Sequence, residues 1–113
     1  MKQTNDFGVE LDSNGYAPSL LQHFPDRCYL CGRSDQKLDR HEIFHVYGDR
    51  DKSKALGLWV LLCHDRCHEN GKEAVHKNAK KDLALKQIGE LTALSYYGWL
   101  IQDFRDRFGK SYI

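Results

Sequence analysis

The sequence has few prolines, no long apolar run and no excess of charge of either sign. It has 113 residues, two prolines, and 17 basic against 16 acidic residues, which gives a formal net charge of +1. No apolar stretch approaches the roughly 18 residues of a membrane span, and residues 1–6 lack the apolar core of a signal peptide. We therefore expect a soluble, cytoplasmic protein without a membrane partner. Any contact with nucleic acid must come from a local basic patch.

Cysteine and histidine are plentiful for a chain of this length, with four and six residues respectively. The length suits one domain with a modest core, and 41% hydrophobic residues argue against disorder. Disulfides are rare in a reducing compartment, so four cysteines in a small domain there favour a metal site.

The chain divides into three parts of one predicted domain. Residues 1–26 are expected to form an irregular extension packed on the domain. A turn is predicted at residues 12–15, and Pro18 and Pro25 are expected to interrupt regular secondary structure. Residues 27–78 are rich in cysteine, histidine and charge, and residues 79–113 are expected to be helical. The pattern predicts a small α+β fold.

The middle part contains two strand candidates. One is Lys37–Tyr47, and the other is the compact apolar run Leu56–Leu62, which ends directly at Cys63. The polar link Gly48–Lys54 between them predicts a wide hairpin or an Ω-type loop.

The last part reads as two helices. The first begins after Asn78 and ends near Gly98, and its apolar residues fall close to one predicted core face: Ala79, Leu83, Ile88, Leu91 and Leu94. The second lies within Trp99–Phe108 and is closed by Gly109.

The cysteines form two closely spaced pairs. Cys28 and Cys31 make a C-x₂-C knuckle, and Cys63 and Cys67 make a C-x₃-C pair. Four thiolates are the ligands that a tetrahedral structural Zn²⁺ prefers. The alternative is a C-x₂-C redox pair with two unrelated buried cysteines, but no thioredoxin-like βαβ pattern surrounds Cys28.

Histidines crowd the same region although four cysteines would already fill the zinc site. This surplus suggests a second, functional metal centre, with His41, Glu42, His68 and His76 as candidates. We interpret His23, His45 and His64 as surface or core residues.

Three segments together resemble an HNH endonuclease of the ββα-metal superfamily. They are the Cys28-x₂-Cys31 knuckle, the strand Arg40-His41-Glu42-Ile43-Phe44, and the run from Gly57 through Cys63-x₃-Cys67-His68. The chain is similar in particular to small phage proteins with a His-Glu-Ile-Phe motif and a Val-His pair, here Val75-His76. The resemblance extends to residues 14–19 and 108–112 and covers most of the chain.

The resemblance implies a ββα-metal core with strands around residues 38–46 and 57–62, a metal helix starting near Cys67, and a structural zinc on the four cysteines. It also implies metal-assisted hydrolysis of DNA phosphodiester bonds with a second cation, such as Mg²⁺, Mn²⁺, Ni²⁺ or Zn²⁺. One alternative makes His41 the general base, with Glu42, His68 and His76 as ligands, and we favour it. The other makes His41 a ligand and puts Glu42 in the position of the base.

One departure from the family pattern concerns the middle asparagine, which is replaced by Leu58. This loss weakens the expected support of the catalytic loop. The chain is therefore either a phage-associated nuclease, alone or in a larger phage assembly, or an inactive zinc-stabilised module that binds nucleic acid or protein. For DNA contact the candidate residues are Lys72, Lys77, Lys80 and Lys81, which otherwise form a solvated helix face.

Overall fold

The computed structural model describes residues 3–23 and 26–113. The interruption of regular structure expected at Pro25 lies outside the described residues. Strand β1 (Leu38–Glu42) and strand β2 (Trp59–Cys63) form an antiparallel hairpin in which His41 is opposite Val60. Helix α1 (Arg50–Ala55) is part of the connection from β1 to β2 along the chain. A π-helical segment (His64–Glu69) follows β2 directly. Helices α2 (Ala79–Tyr97) and α3 (Ile101–Phe108) complete the fold. This arrangement confirms the predicted α+β class.

Both strands are shorter than the sequence predicted. The Ile43 amide still donates to the Leu58 carbonyl in the register of the hairpin, but the Phe44 amide leaves the strand pairing and donates to the Ser53 hydroxyl. The two strands pair as the predicted wide hairpin, and the polar link between them forms helix α1 in place of an Ω-type loop. The turn from α1 into β2 needs Gly57, which has a φ of +78° and whose added Cβ would stand 2.5 Å from the Pro18 carbonyl oxygen.

The core lies between the hairpin and the C-terminal helices. Its fully buried side chains come from the end of β1, from β2 and from α3, and include Ile43, Phe44, Val60, Leu62 and Phe104. The rings of Phe44 and Phe104 pack edge to face at 5.1 Å between centroids. Burial of such side chains contributes about 1.5–3 kcal/mol each, so this cluster fixes the hairpin against α3.

The predicted core face of α2 was largely wrong, although Leu94 packs against the core. Leu83, Ile88 and Leu91 are exposed, and the buried side is formed by Leu85, Lys86, Gly89, Glu90 and Ala93. Glycine is favoured at position 89 of this face because an added Cβ would lie 3.1 Å from side-chain atoms of both Ile43 and Phe44.

The C-terminal tail supplies the partners that let Glu90 be buried. The Glu90 carboxylate accepts hydrogen bonds from the Tyr112 amide and the Ser111 hydroxyl, each at 2.6 Å. A buried carboxylate without such donors would destabilise the fold. The tail is thereby fixed along α2.

The ends of both C-terminal helices agree with the sequence analysis. The Asn78 side chain caps α2 by accepting from the amides of Lys80 and Lys81. Gly109, with a φ of +85°, ends α3 and donates its N–H to the Arg105 carbonyl. In the part of the chain that the structure describes, no helix has the length and apolarity needed to cross a membrane.

Candidate metal centres

Four sulfur atoms converge at the end of the hairpin. The Sγ atoms of Cys28, Cys31, Cys63 and Cys67, which we call the cysteine cluster, all lie within 4.8 Å of one another. The Cys31 and Cys63 sulfurs are 3.8 Å apart. Two thiolates bound about 2.3 Å from one tetrahedral Zn²⁺ stand roughly 3.8 Å apart, so the residues fit this ion. The cysteine cluster could hold a structural zinc.

The backbone of the first knuckle is arranged around the Cys28 sulfur. The Cys31 amide donates to Cys28 Sγ at 3.4 Å, and Gly32 turns the chain with a φ of +76°. The Tyr29 amide donates to the Leu61 carbonyl of β2 at 2.7 Å, which brings the knuckle onto the hairpin. Burial by itself raises the pKa of Cys28, but backbone N–H groups, first that of Cys31, outweigh it and bring the pKa to about 7. Cys28 therefore favours the thiolate form, whereas burial raises the pKa of the Cys63 and Cys67 thiols in the absence of a metal ion.

Three histidines meet about one point beside the cysteine cluster. His41 lies on β1, His68 in the π-helical segment and His76 in the turn before α2, and we call these three the histidine cluster. One ring nitrogen from each lies within 4.8 Å of the other two, and the Nε2 atoms of His68 and His76 are 3.1 Å apart. Two imidazoles bound about 2.0–2.1 Å from one tetrahedral ion would place their nitrogens roughly 3.3 Å apart. The spacing suits ligands of one cation.

His41 is the buried member of the histidine cluster. It is 2% exposed, and its Nε2 has no hydrogen-bond partner among the described residues. Burial lowers the pKa of His41 to about 3, and the neighbouring His68, His45 and His76 add to the effect. The ring is therefore neutral at physiological pH, with an unshared electron pair on one nitrogen. A buried nitrogen without a partner is costly unless something binds it.

The turn before α2 folds back on the π-helical segment, and this places His76. The Val75 amide donates to the Cys67 carbonyl at 2.8 Å, and the His76 amide to the His68 carbonyl at 3.4 Å. Gly71 makes the return possible, because an added Cβ would lie 2.4 Å from the Arg66 carbonyl oxygen. His68 and His76 therefore share one side of this turn.

Two carboxylates orient the rings around the histidine cluster. Asp39 Oδ2 lies 2.9 Å from His68 Nδ1 and 2.5 Å from His64 Nδ1. Asp82 Oδ1 lies 2.8 Å from His45 Nε2, and its other oxygen is paired with Lys86 Nζ at 2.9 Å. Burial raises the pKa of Asp39, but the hydrogen bonds from His68 and His64 outweigh it and lower the pKa.

Sequence reasoning missed Asp39 and Asp82 and dismissed His45 and His64. One signal was available, because Asp39 and His41 are two residues apart on a strand and therefore point to the same face. No local sequence pattern predicts the contact of His45 with Asp82, because the two residues are 37 positions apart.

Glu42 is not brought to the histidine cluster. It follows His41 on β1, so its side chain points to the opposite face, where it interacts with the Tyr16 hydroxyl. Burial first, and then Glu42, raises the pKa of Tyr16 to about 12. This placement corrects the expectation that Glu42 serves as a cation ligand or as the base, because strand alternation separates it from its neighbour His41.

The four candidate DNA-contacting lysines are exposed and lie close to His76 in the chain. Lys72 and Lys77 flank the turn that carries His76, and Lys80 and Lys81 lie in the first turn of α2. Lys81 Nζ is 4.0 Å from a Glu73 carboxylate oxygen. Their exposure and their proximity to His76 in the chain would allow them to meet a phosphate backbone.

Ser53 connects the end of β1 to the start of β2. The hydroxyl of the buried Ser53 accepts from the Phe44 amide at 3.1 Å and donates to the Leu58 carbonyl at 2.5 Å. Leu58, where the sequence resemblance leads us to expect an asparagine, is fully buried in the core. Ser53 therefore supports this connection in the described structure.

No protein-family model, no curated protein and no solved structure matches this chain.

Proposed function

We propose that this protein is an HNH-type, metal-dependent endonuclease that hydrolyses DNA phosphodiester bonds, with His41, His68 and His76 as the ligands of its divalent cation. The observation that carries the proposal is the buried, unpartnered Nε2 of His41 next to two further imidazoles. Three protein ligands leave a fourth position open, which is the usual composition of a catalytic site. The cysteine cluster, complete with four ligands, supplies the structural counterpart.

The geometry favours a ligand role for His41 over the role of general base. A proton acceptor works best with a pKa near the working pH, and burial holds the pKa of His41 at about 3. His45 is the better-placed acceptor, since its ring centroid lies 5.4 Å from that of His41 and 5.1 Å from that of His76. Asp82 holds His45 through Nε2, which leaves Nδ1 to take a proton.

A bound divalent cation would supply Lewis-acid stabilisation of the charge that develops on the phosphate. The protein's own part is to hold three imidazoles in place, to orient His45, and to meet the flanking phosphates. The exposed lysines 72, 77, 80 and 81 suit this last task because they attract the backbone without reading bases. We extend the proposal to a phage-associated role on the sequence resemblance alone.

A nicking assay tests this function. Zinc-loaded protein is incubated with supercoiled plasmid while Mg²⁺, Mn²⁺, Ni²⁺ or Zn²⁺ is added in turn, with a chelator-treated control. We expect nicking with at least one cation and its loss in His76→Ala, which changes an exposed ligand. Cleavage by His76→Ala at the wild-type rate would contradict the proposed site.

A second candidate function is a DNA- or protein-binding module without turnover. The placement of Glu42 away from the histidine cluster favours it, because the residue in the expected position of the base cannot act there. Absence of nicking with all four cations, together with a retained gel shift of plasmid fragments, would select this candidate.

A further inference from the structure

The segment that follows β2 contains the same dipeptide twice. Cys63-His64 and Cys67-His68 are four residues apart, and the second pair lies within the π-helical segment. The two sulfurs belong to the cysteine cluster, whereas both imidazoles turn to Asp39. One short stretch of chain therefore contributes to both candidate metal centres, and Asp39 contacts it twice.

Asp39 accepts from both imidazoles with the same carboxylate oxygen. Oδ2 lies 2.5 Å from His64 Nδ1 and 2.9 Å from His68 Nδ1, and the side chain is 17% exposed. An ionised carboxylate only accepts, so both Nδ1 atoms must carry hydrogen. A neutral His68 then has an unprotonated Nε2, which is the atom 3.1 Å from His76 Nε2.

Asp39, His64 and His68 also form a group that could hold a metal ion, but their distances favour hydrogen bonds over shared ligation. Two ligand atoms on one tetrahedral cation would stand roughly 3.3 Å apart. The separations from Asp39 to His64 and His68 are shorter and have the lengths of charge-assisted hydrogen bonds. Asp39 therefore acts through the histidines and not on a cation.

We propose that Asp39 is a positioning residue of the histidine cluster, which fixes the tautomer and ring orientation of His68 and, by holding His64 as well, orders the turn between Cys63 and Cys67. This inference rests on the proposed function, because it takes His68 as a cation ligand. Carboxylate partners of metal-bound histidines typically change metal affinity by about 10–100-fold. His64, which is partly buried, serves to hold the carboxylate in place.

The test measures cation affinity without DNA. Protein with zinc on the cysteine cluster is titrated with Co²⁺ by calorimetry, and the visible spectrum reports nitrogen coordination. A thiolate-to-metal charge-transfer band would reveal any exchange into the cysteine cluster. We expect Asp39→Asn to weaken Co²⁺ binding about 10–100-fold with zinc content unchanged. Asp35→Asn, an exposed carboxylate paired with Arg33, is the matched control and should bind as wild type.

Two further measurements separate positioning from general support of the fold. Ring-nitrogen NMR should show His68 protonated at Nδ1 in wild type and a mixture of tautomers in Asp39→Asn. Asp39→Glu, which keeps a carboxylate, should recover part of the affinity. If Asp39→Asn does not fold, His64→Gln makes the same comparison and should weaken binding by a smaller factor.

Each outcome decides the inference. Unchanged Co²⁺ affinity and an unchanged His68 tautomer in the folded Asp39 or His64 variants would overturn it. So would a wild-type protein that binds no Co²⁺ beyond its zinc. A protein whose Co²⁺ affinity depends on Asp39 but which cuts no DNA would support the inference and refute the nuclease.

Discussion

The cysteine cluster and the histidine cluster are neighbours, but they are built in opposite ways. The four sulfurs form a complete ligand set, and three of the cysteines are at least 93% buried. The histidines offer three nitrogens, one deeply buried on His41 and one exposed on His76. The first set is buried except at the partly exposed Cys31, and the second has an exposed side at His76.

From this difference we expect the cysteine cluster to stabilise the fold and the histidine cluster to carry the proposed chemistry. A closed set of four thiolates has no position for a substrate, so its binding energy is available for folding. An incomplete set of imidazoles, one of which (His68) is held by the Asp39 carboxylate, resembles a site kept ready for exchange of a ligand. The two clusters should therefore respond differently when one member is removed.

The largest effect is expected from Cys63→Ser. Structural zinc contributes about 10–16 kcal/mol of apparent binding energy in small zinc domains, so loss of one thiolate should leave unfolded or insoluble protein. Metal analysis and circular dichroism measure both consequences. Arg66→Ala, an exposed change between Cys63 and Cys67, is the control and should keep zinc and fold. A folded Cys63→Ser protein with a full equivalent of zinc would contradict the proposal that folding depends on all four cysteines of the cysteine cluster.

His41→Ala should reduce DNA cleavage and leave the fold and the zinc content unchanged. His41 lies outside the cysteine cluster, so zinc content should remain at one equivalent, while plasmid nicking should fall at least about 10²-fold. Glu42→Gln is the matched control, because it changes the next residue on the opposite strand face and should cut as wild type. Equal cleavage by wild type and a zinc-loaded His41→Ala protein would refute the assignment of the histidine cluster.

Ser53→Ala should have an intermediate effect, on stability alone. It removes the hydroxyl that joins Phe44 to Leu58 and leaves a buried amide without its partner, which costs about 1–3 kcal/mol. Denaturant unfolding at equal zinc content measures the difference, with the exposed Ser34→Ala as control. A change within error would mean that the metal centres, and not Ser53, hold this connection.

The parts of the fold and site that could be predicted from sequence depend on short spacings. The C-x₂-C and C-x₃-C pairs indicated the cysteine cluster, and the apolar run before Cys63 indicated β2, because these signals lie within a few residues. The end of α3 at Gly109 was predicted for the same reason.

The errors arose where distant residues decide the outcome. The core face of α2 is set by the close approach of Phe44 to Gly89 and by the tail that satisfies Glu90, and neither contact appears in the helical period. Glu42 was grouped with His41 because they are adjacent in sequence, although adjacency on a strand means opposite faces. Asp39 was passed over although its spacing from His41 was informative.

The smallest effect is expected from the basic residues, and it shows which cluster faces DNA. Lys77→Glu with Lys80→Glu removes two exposed charges beside His76, whereas Arg105→Glu with Lys110→Glu changes α3 and the tail, which contribute to neither cluster. Both double variants alter the net charge equally, so any difference between them reflects position. Each phosphate contact contributes about 0.9 to the slope of log affinity against log salt concentration, so the first pair should lower that slope by about 2. Fluorescence anisotropy of labelled DNA across a salt series measures it. Equal slopes for the two variants would show that these lysines form a solvated helix face and do not contact DNA phosphates. DNA would then have to approach the histidine cluster without them.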